Sequence, residues 1–334
     1  MRPSRPIKSD LKTHRIKLEE EKPTRWPYMK ILREYSTLKR EYAVDPYAEV
    51  YQMRDNVWAI FTESLDGMGD PWMYLIDGPE KAMLIDTSFG LGDLKGLCRE
   101  IIGDKPLIVA NTHWHFDHAF GNAQFDRCYC SECEVPRMER VNNSHIWDYL
   151  FDEGGRPKWT EFDRNDLIAY KHYEVVGVPD GYRFDLGSGY EVELVLTPGH
   201  TPGMSGYIDW HHHIMFTGDT NGITEAEPSE PFAENCCVEA LAQSLRRLQP
   251  RFKDIEALFP GHGALDVTGE LLQYTLDACE LVLKNPECSD GQKVLKKPST
   301  GEEVTILTKN IYQGSAIRYT PGSIYIRDQK RAQK

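Results

Sequence analysis

The segment THWHFDH, residues 112–118, constrains this chain more than any other stretch. It packs three histidines and an aspartate into six residues, with Trp114 and Phe116 between them. It runs on directly from PLIVAN, a short apolar stretch that reads as a buried strand. His113, Asp117 and His118 cannot all face one point from a regular strand or helix. The segment is therefore expected to be a loop at a strand end. Trp114 and Phe116 would point away from the cluster, pack beside it and exclude water. Open α/β layers hold their chemistry at such strand ends.

Three further polar residues end apolar runs in the same way. They are His200 in TPGH, Asp219 in FTGD and His262 in FPGHG, each preceded by glycine. Glycine allows a sharp turn and a close backbone approach. Together with His113, His115, Asp117 and His118 this makes seven nitrogen or oxygen ligands and no thiolate. Such a set suits borderline cations such as zinc. One zinc ion takes about four ligands. Seven point to two ions that share a carboxylate.

Periodicity supplies the surroundings. AEVYQMRDNVWAIFTES reads as strands, and WMYLIDGPEKAMLID as two strands around a turn. LGDLKGLCREIIG has helical spacing and stops at Gly103. Residues 134–173 read as helical, broken at EGGRP. YRFDLGSGYEVELVL and SGYIDWHHHIMFTGD return to strands. VEALAQSLRRLQ and GELLQYTLDACELVLKN are helices on either side of the strand before His262. The order β-β-α-β-α occurs twice and suggests two similar halves. Residues 1–45 form a charged extension that docks, with one short amphipathic helix in YMKILREYSTLKREY. Residues 46–285 are expected to form the main domain, which holds all seven ligand candidates, and 286–334 a β-rich tail.

Charge and cysteine content narrow the classes. Residues 1–42 hold twelve Lys/Arg against six Asp/Glu, and residues 284–334 ten against five. The body between them holds 17 against 41 and is a poor match for nucleic acid. The basic ends are expected to lie across that acidic body. No apolar run is long enough to span a membrane, and no secretory signal opens the chain, which favours the cytoplasm. CYCSEC (128–133) is half a metal motif at best and reads as packing in a strand. His211, His212 and His213 fall on a hairpin turn and read as solvated.

The ordered motifs THWHFDH, TPGHTPG, FTGD and PGHG resemble those of the metallo-β-lactamase-fold hydrolase superfamily, over about residues 48–285. The resemblance implies an α/β fold, the αβ/βα four-layer sandwich, with the site where the halves meet. It implies that His113, His115 and His200 hold a first metal and that Asp117, His118 and His262 hold a second, with Asp219 bridging. Asp86 in LIDTSFG would orient the metal loop. Ser88 stands where the family usually has glycine. The implied cofactors are two divalent ions, zinc first, with iron or manganese as alternatives. The implied chemistry is that of the glyoxalase II and lactonase branch. A metal-bridged hydroxide attacks a small ester, lactone or thioester, and Asp117 or Asp219 relays the proton. The alternatives are a phosphodiesterase, a mononuclear iron oxygenase of the persulfide dioxygenase kind, and a non-catalytic metal binder. The expected partner is a small-molecule substrate, without nucleic acid or membrane, and a homo-oligomer is compatible. Residues 66–73 and 134–173 would wall the pocket, with Trp72, Trp147, Tyr149 and Trp159 as its aromatics. Arg318 and Tyr319 in the tail are candidates to meet a substrate carboxylate.

Overall fold

Along the strand Val57–Thr62, alternate side chains leave on opposite faces. Val57, Ala59 and Phe61 enter one buried cluster, and Trp58 and Ile60 another. That split explains the architecture of the computed structural model, which describes residues 7–16, 27–226, 229–296, 302–311 and 314–326. The outermost parts of the basic ends, residues 1–6 and 327–334, lie outside the described residues.

Two sheets stack face to face. The first has eight strands, and its central ones are Arg127–Ser131, Leu107–Ala110, Ala82–Ile85 and Trp72–Asp77. The second has six, centred on Glu191–Leu196, Ser205–Asp209, Ile214–Gly218 and Ala257–Pro260. The central cluster takes Tyr74, Met83 and Ile85 from the first sheet and Leu194, Tyr207, Phe216 and Phe259 from the second.

The outer faces are covered by helices. Among the described residues the α-helices are α1 (Pro27–Tyr35), α2 (Leu94–Ile102), α3 (Phe116–Ala119), α4 (Val135–Val141), α5 (Val238–Leu248) and α6 (Leu271–Lys284). Leu94, Leu97 and Cys98 of α2 pack on Leu75, Leu84 and Val109 of the first sheet. Leu241 and Leu245 of α5 and Leu276 of α6 pack on Ile208, Met215 and Leu258 of the second. The result is the expected sandwich of four layers, helix–sheet–sheet–helix. Both halves contain parallel crossovers: Ala82–Ile85 to Leu107–Ala110 through α2, with Arg127–Ser131 and Glu174–Val178 continuing the parallel run, and Ile214–Gly218 to Ala257–Pro260 through α5.

Two details differ from the sequence reading. Residues 134–173 are mostly irregular. They contain α4, two short 3₁₀ turns and a two-residue strand, Thr160–Glu161, paired with His14–Arg15. The apolar spacing there serves an irregular cover rather than a helix: Leu150, Phe151 and Tyr173 are buried against the α2 side of the first sheet. The amphipathic helix of the extension also ends early, at Tyr35, and Lys39–Arg40 joins the first sheet as its edge.

The described residues of the extension lie across the body. Arg33 is buried and makes a two-point pair with Glu49, both contacts at 2.9 Å. Arg15 pairs with Asp70, and Lys12 with Asp166. The tail strands Gly291–Lys296, Glu303–Asn310 and Ala316–Tyr319 form a three-stranded antiparallel sheet. Its Ile317 and Tyr319 enter the core beside α5 and α6. No helix among the described residues is long and apolar enough to cross a membrane.

Candidate metal centre

Every predicted ligand follows a strand of one sheet or the other, and the stacking brings these strand ends together. His113 and His115 follow Leu107–Ala110, while Asp219 extends Ile214–Gly218 and His262 extends Ala257–Pro260. His200 follows Glu191–Leu196. Three overlapping groups of ligand atoms result, each within 4.8 Å: His113, His115 and His200; His113, His118 and Asp219; and Asp117, His118 and His262. All seven sequence candidates are included. His211 to His213 are not, and the half-buried His212 bonds Asp209 instead.

The 112–118 segment is only partly a loop. His115 caps α3, and Asp117 and His118 sit in its first turn. Trp114 and Phe116 pack beside the ligands as expected. The Trp114 ring meets His115 edge-on at 4.5 Å, with Arg137 over it at 5.0 Å. Phe116 lies against Phe89, Phe120 and Tyr149.

The back of each histidine explains its aim. His262 Nδ1 donates to the Asp70 carbonyl at 2.9 Å, and His200 Nδ1 to the Gly222 carbonyl. A carbonyl only accepts, so each Nδ1 carries the proton and each Nε2 lone pair faces the cluster. Thr112 gives its hydroxyl proton to Asp86 at 2.8 Å and accepts from His113 Nδ1 at 3.0 Å. Asp86 also takes the His118 Nδ1 proton at 2.8 Å and the Thr112 backbone N–H at 2.7 Å. Asp86 thus has the orienting position that the resemblance implies.

The inner nitrogens crowd together. His115 Nδ1 lies 3.1 Å from His113 Nε2 and 2.9 Å from His200 Nε2, and His118 Nε2 lies 3.3 Å from His262 Nε2. Nitrogens at zinc's bond length and tetrahedral angle stand about 3.3 Å apart. The donor set therefore fits a cation on each side of the cluster, one among His113, His115 and His200 and one among Asp117, His118 and His262. Asp219 reaches both: Oδ2 is 3.5 Å from His200 and 3.3 Å from His262, and Oδ1 is 3.8 Å from His118. Asp117 stands 3.2 Å from His262.

Electrostatics divides the cluster in two. Burial, reinforced by neighbouring imidazoles, pushes His113 well down and His115 to about 3. Burial also lowers His200. On the other side burial opposes charge, yet Asp117, Asp86 and Asp219 outweigh it and lift His118 to about 9. His262 is raised in the same way, chiefly by Asp219 against burial. Three imidazoles are thus held neutral by burial, beside two whose carboxylate partners favour positive charge.

Several supporting residues carry no signal of their own in the sequence. Glu134, fully buried, accepts from the backbone N–H of Trp114 and Gly203 and from the Thr201 hydroxyl. It ties the loop of His113 and His115 to that of His200. A clue existed: Tyr129 pairs with Ala110 in neighbouring parallel strands, so Trp114 and Glu134 leave the same sheet edge at nearly equal distances. Trp72 is not a pocket wall. It is fully buried, and its backbone N–H and indole N–H bind the carbonyls of Gly261 and Gly263, bracing His262 from both sides. Trp147 is likewise buried, bonded to the Phe89 carbonyl. Tyr149 and Trp159 are half-buried and continue the aromatic wall from Phe116. Tyr319 is buried in the core, whereas Arg318, on the opposite face of its strand, is exposed and lines a cavity with Asp219 and His262.

Ser88 adopts φ +55° and bonds the Thr62 hydroxyl at 2.7 Å. A left-handed backbone favours glycine, which accounts for glycine's usual presence there. All eight cysteines are free, and Cys128 and Cys130 pack in the core.

Comparison with known proteins agrees with this geometry. Acyl-coenzyme A thioesterase MBLAC2 of Bos taurus is 29% identical over 162 residues, 44% of this chain and 57% of that protein. The probable polyketide biosynthesis zinc-dependent hydrolase BaeB of Bacillus velezensis is 22% identical over 219 residues, 63% of this chain and 80% of that one. The hydroxyacylglutathione hydrolase-like protein of Mus musculus is 25% identical over 271 residues, 79% of each chain. The match to the thioesterase spans little more than half of that relative's length. Residues 66–267, enclosing every ligand candidate, match the family model described as the metallo-beta-lactamase superfamily, and the chain belongs to that superfamily.

Proposed function

We propose that this chain is a metal-dependent hydrolase of small esters or thioesters, with His113, His115 and His200 holding one divalent cation and Asp117, His118 and His262 a second, bridged by Asp219. The observation that carries the reading is the overlap of the ligand groups, in which His113, His118 and Asp219 knit the two sides together. Zinc is the first candidate, supported by the nitrogen-rich donor set and by a relative named as zinc-dependent. When bound, such cations supply Lewis acidity at a carbonyl and make water a nucleophile near neutral pH. The chain's own residues do the rest. The back-side bonds of His113, His118, His200 and His262 fix each imidazole before substrate arrives. Asp117 and Asp219, held well ionised by His118 and His262 despite burial, are the groups that receive and relay a proton. Phe116, Tyr149 and Trp159 shield one side of the centre from water.

A relative named as an acyl-coenzyme A thioesterase supports a thioester as the first substrate to try. The free thiols support a reducing, cytoplasmic setting. The test is a panel of thioesters, esters, lactones and phosphodiesters, assayed with zinc, manganese and iron. Turnover of a thioester or ester that disappears in Asp219→Ala supports the reading. Turnover confined to phosphodiesters, or dioxygen-dependent oxidation with one iron per chain, contradicts it.

A further inference from the structure

A cavity of about 490 Å³ opens beside Asp219 and His262, on the side away from the aromatic wall. Its volume lies in the range of small-molecule sites. The floor is aliphatic, made by Leu245 of α5, Leu258, Val267, and Leu271 and Leu272 of α6. The tail sheet closes it, and Arg318 contributes to its lining. The tail is tied firmly to the metal loop at this point. The Arg318 backbone N–H donates to the Asn221 carbonyl at 2.8 Å, and its carbonyl accepts from Ile223 N–H at 2.7 Å. Gly222, between them, is the residue whose carbonyl orients His200.

The Arg318 guanidinium is exposed, and among the described residues no carboxylate pairs with it. It sits on a body with 41 acidic against 17 basic side chains, where other arginines such as Arg33, Arg54 and Arg251 have found carboxylates. A cation left open beside an aliphatic cleft, next to a hydrolytic centre, matches a ligand that is apolar along its length and anionic at one point.

We propose that this cavity receives the acyl half of the substrate and that Arg318 pairs with an anionic group carried on it, so that the enzyme prefers acyl chains bearing a carboxylate over neutral ones. Arg318 then acts as a specificity-determining residue and takes no part in bond cleavage. The proposal rests on the hydrolase reading for its substrate and on the cleft alone for its binding chemistry.

Two probes separate these. The zinc-loaded protein is titrated calorimetrically with octanoate and with octanedioate, which differ only by the second carboxylate. The expected result is that octanedioate binds roughly fivefold more tightly, the strength of a partly exposed guanidinium–carboxylate pair. Arg318→Gln should erase the difference and leave octanoate affinity unchanged, while Arg318→Lys should retain part of it. The main-chain bonds of Arg318 survive both substitutions, so folding is not at stake. Equal affinities in the wild type, a preference that persists in Arg318→Gln, or binding of neither acid would overturn the proposal. Ester turnover without the preference would remove this inference alone. The preference without turnover would remove the hydrolase reading and leave the cleft standing.

Discussion

Glu134 Oε1 accepts the backbone N–H of Trp114 at 2.8 Å, at the residue between His113 and His115. Its other oxygen accepts Gly203 N–H at 2.8 Å and the Thr201 hydroxyl at 2.9 Å, next to His200. One buried carboxylate therefore spaces all three ligands of the proposed first cation. Glu134→Ala would leave two backbone N–H groups without their acceptors, at about 1–3 kcal/mol each. Loss of such a support is expected to weaken metal binding by roughly 10–100-fold. Competition with a chromophoric zinc chelator, together with urea unfolding, measures both. Wild-type zinc affinity in the variant would show that the loops are spaced by something else.

Asp86 does the corresponding work for His118 and, through Thr112, for His113. Asp86→Asn replaces an acceptor with an amide that can offer its N–H to His118 Nδ1, inverting that bond. The expectation is a loss of metal affinity in the same 10–100-fold range. Turnover should recover partly at high zinc. A variant that binds zinc normally yet is inactive would place Asp86 in the chemistry instead.

The split in the histidines predicts how the metal-free protein responds to pH. His113, His115 and His200 are lowered by burial, so between about pH 3 and 6.5 the unfolded chain binds more protons and stability rises with pH. His118 and His262 are raised by carboxylates that outweigh burial, so above about 6.5 the native state binds more protons. Stability is then lost as pH climbs toward about 9, the His118 value. The histidine contribution to the stability of the chelator-treated protein should therefore peak near pH 6.5. Zinc-loaded protein should keep its stability above that pH, because bound metal requires deprotonated ligands. Thermal melts from pH 5 to 9 with zinc and with chelator check this. A metal-free melting temperature that still rises between pH 7 and 9 would refute the charge assignment.

Ser88 sets a backbone cost against a side-chain bond. Relief of the left-handed conformation by Ser88→Gly is worth about 1–2 kcal/mol. It is offset by the lost Thr62 bond at about 1 kcal/mol and by glycine's greater freedom when unfolded. The variant should stay within about 1 kcal/mol of wild type in chemical denaturation. A destabilisation above about 2 kcal/mol would mean that the hydroxyl pair does more than fill the turn.

The candidate ligands could be read from the sequence because the 112–118 segment and each of His200, Asp219 and His262 follow an apolar run, and the last three carry glycine in front, marks of a strand edge turned to chemistry. The four layers were implied by the family resemblance rather than by periodicity; in the structure the apolar run VWAIFT is buried on both faces, as the middle of such a sandwich requires. Glu134 escaped notice because one carboxylate after a cysteine-rich strand looks ordinary until the parallel pairing of Tyr129 with Ala110 brings it beside Trp114. Trp72 was misplaced for a related reason. An aromatic residue at a strand start can face a pocket or the core, and only the contacts with Gly261 and Gly263 decide. Residues 134–173 have helix-like apolar spacing, but their apolar side chains are spent on an irregular cover over α2 and its sheet. The course of that cover depends on tertiary contacts that periodicity does not encode.

The central claim is that these strand ends converge to hold two cations with Asp219 between them. Equilibrium dialysis of the chelator-treated protein against zinc, with bound metal counted by mass spectrometry, tests it most directly. The account predicts close to two zinc ions per chain, and tight uptake of no more than one in Asp219→Ala. A wild type that retains one ion or none, with Asp219→Ala indistinguishable from it, would contradict the account.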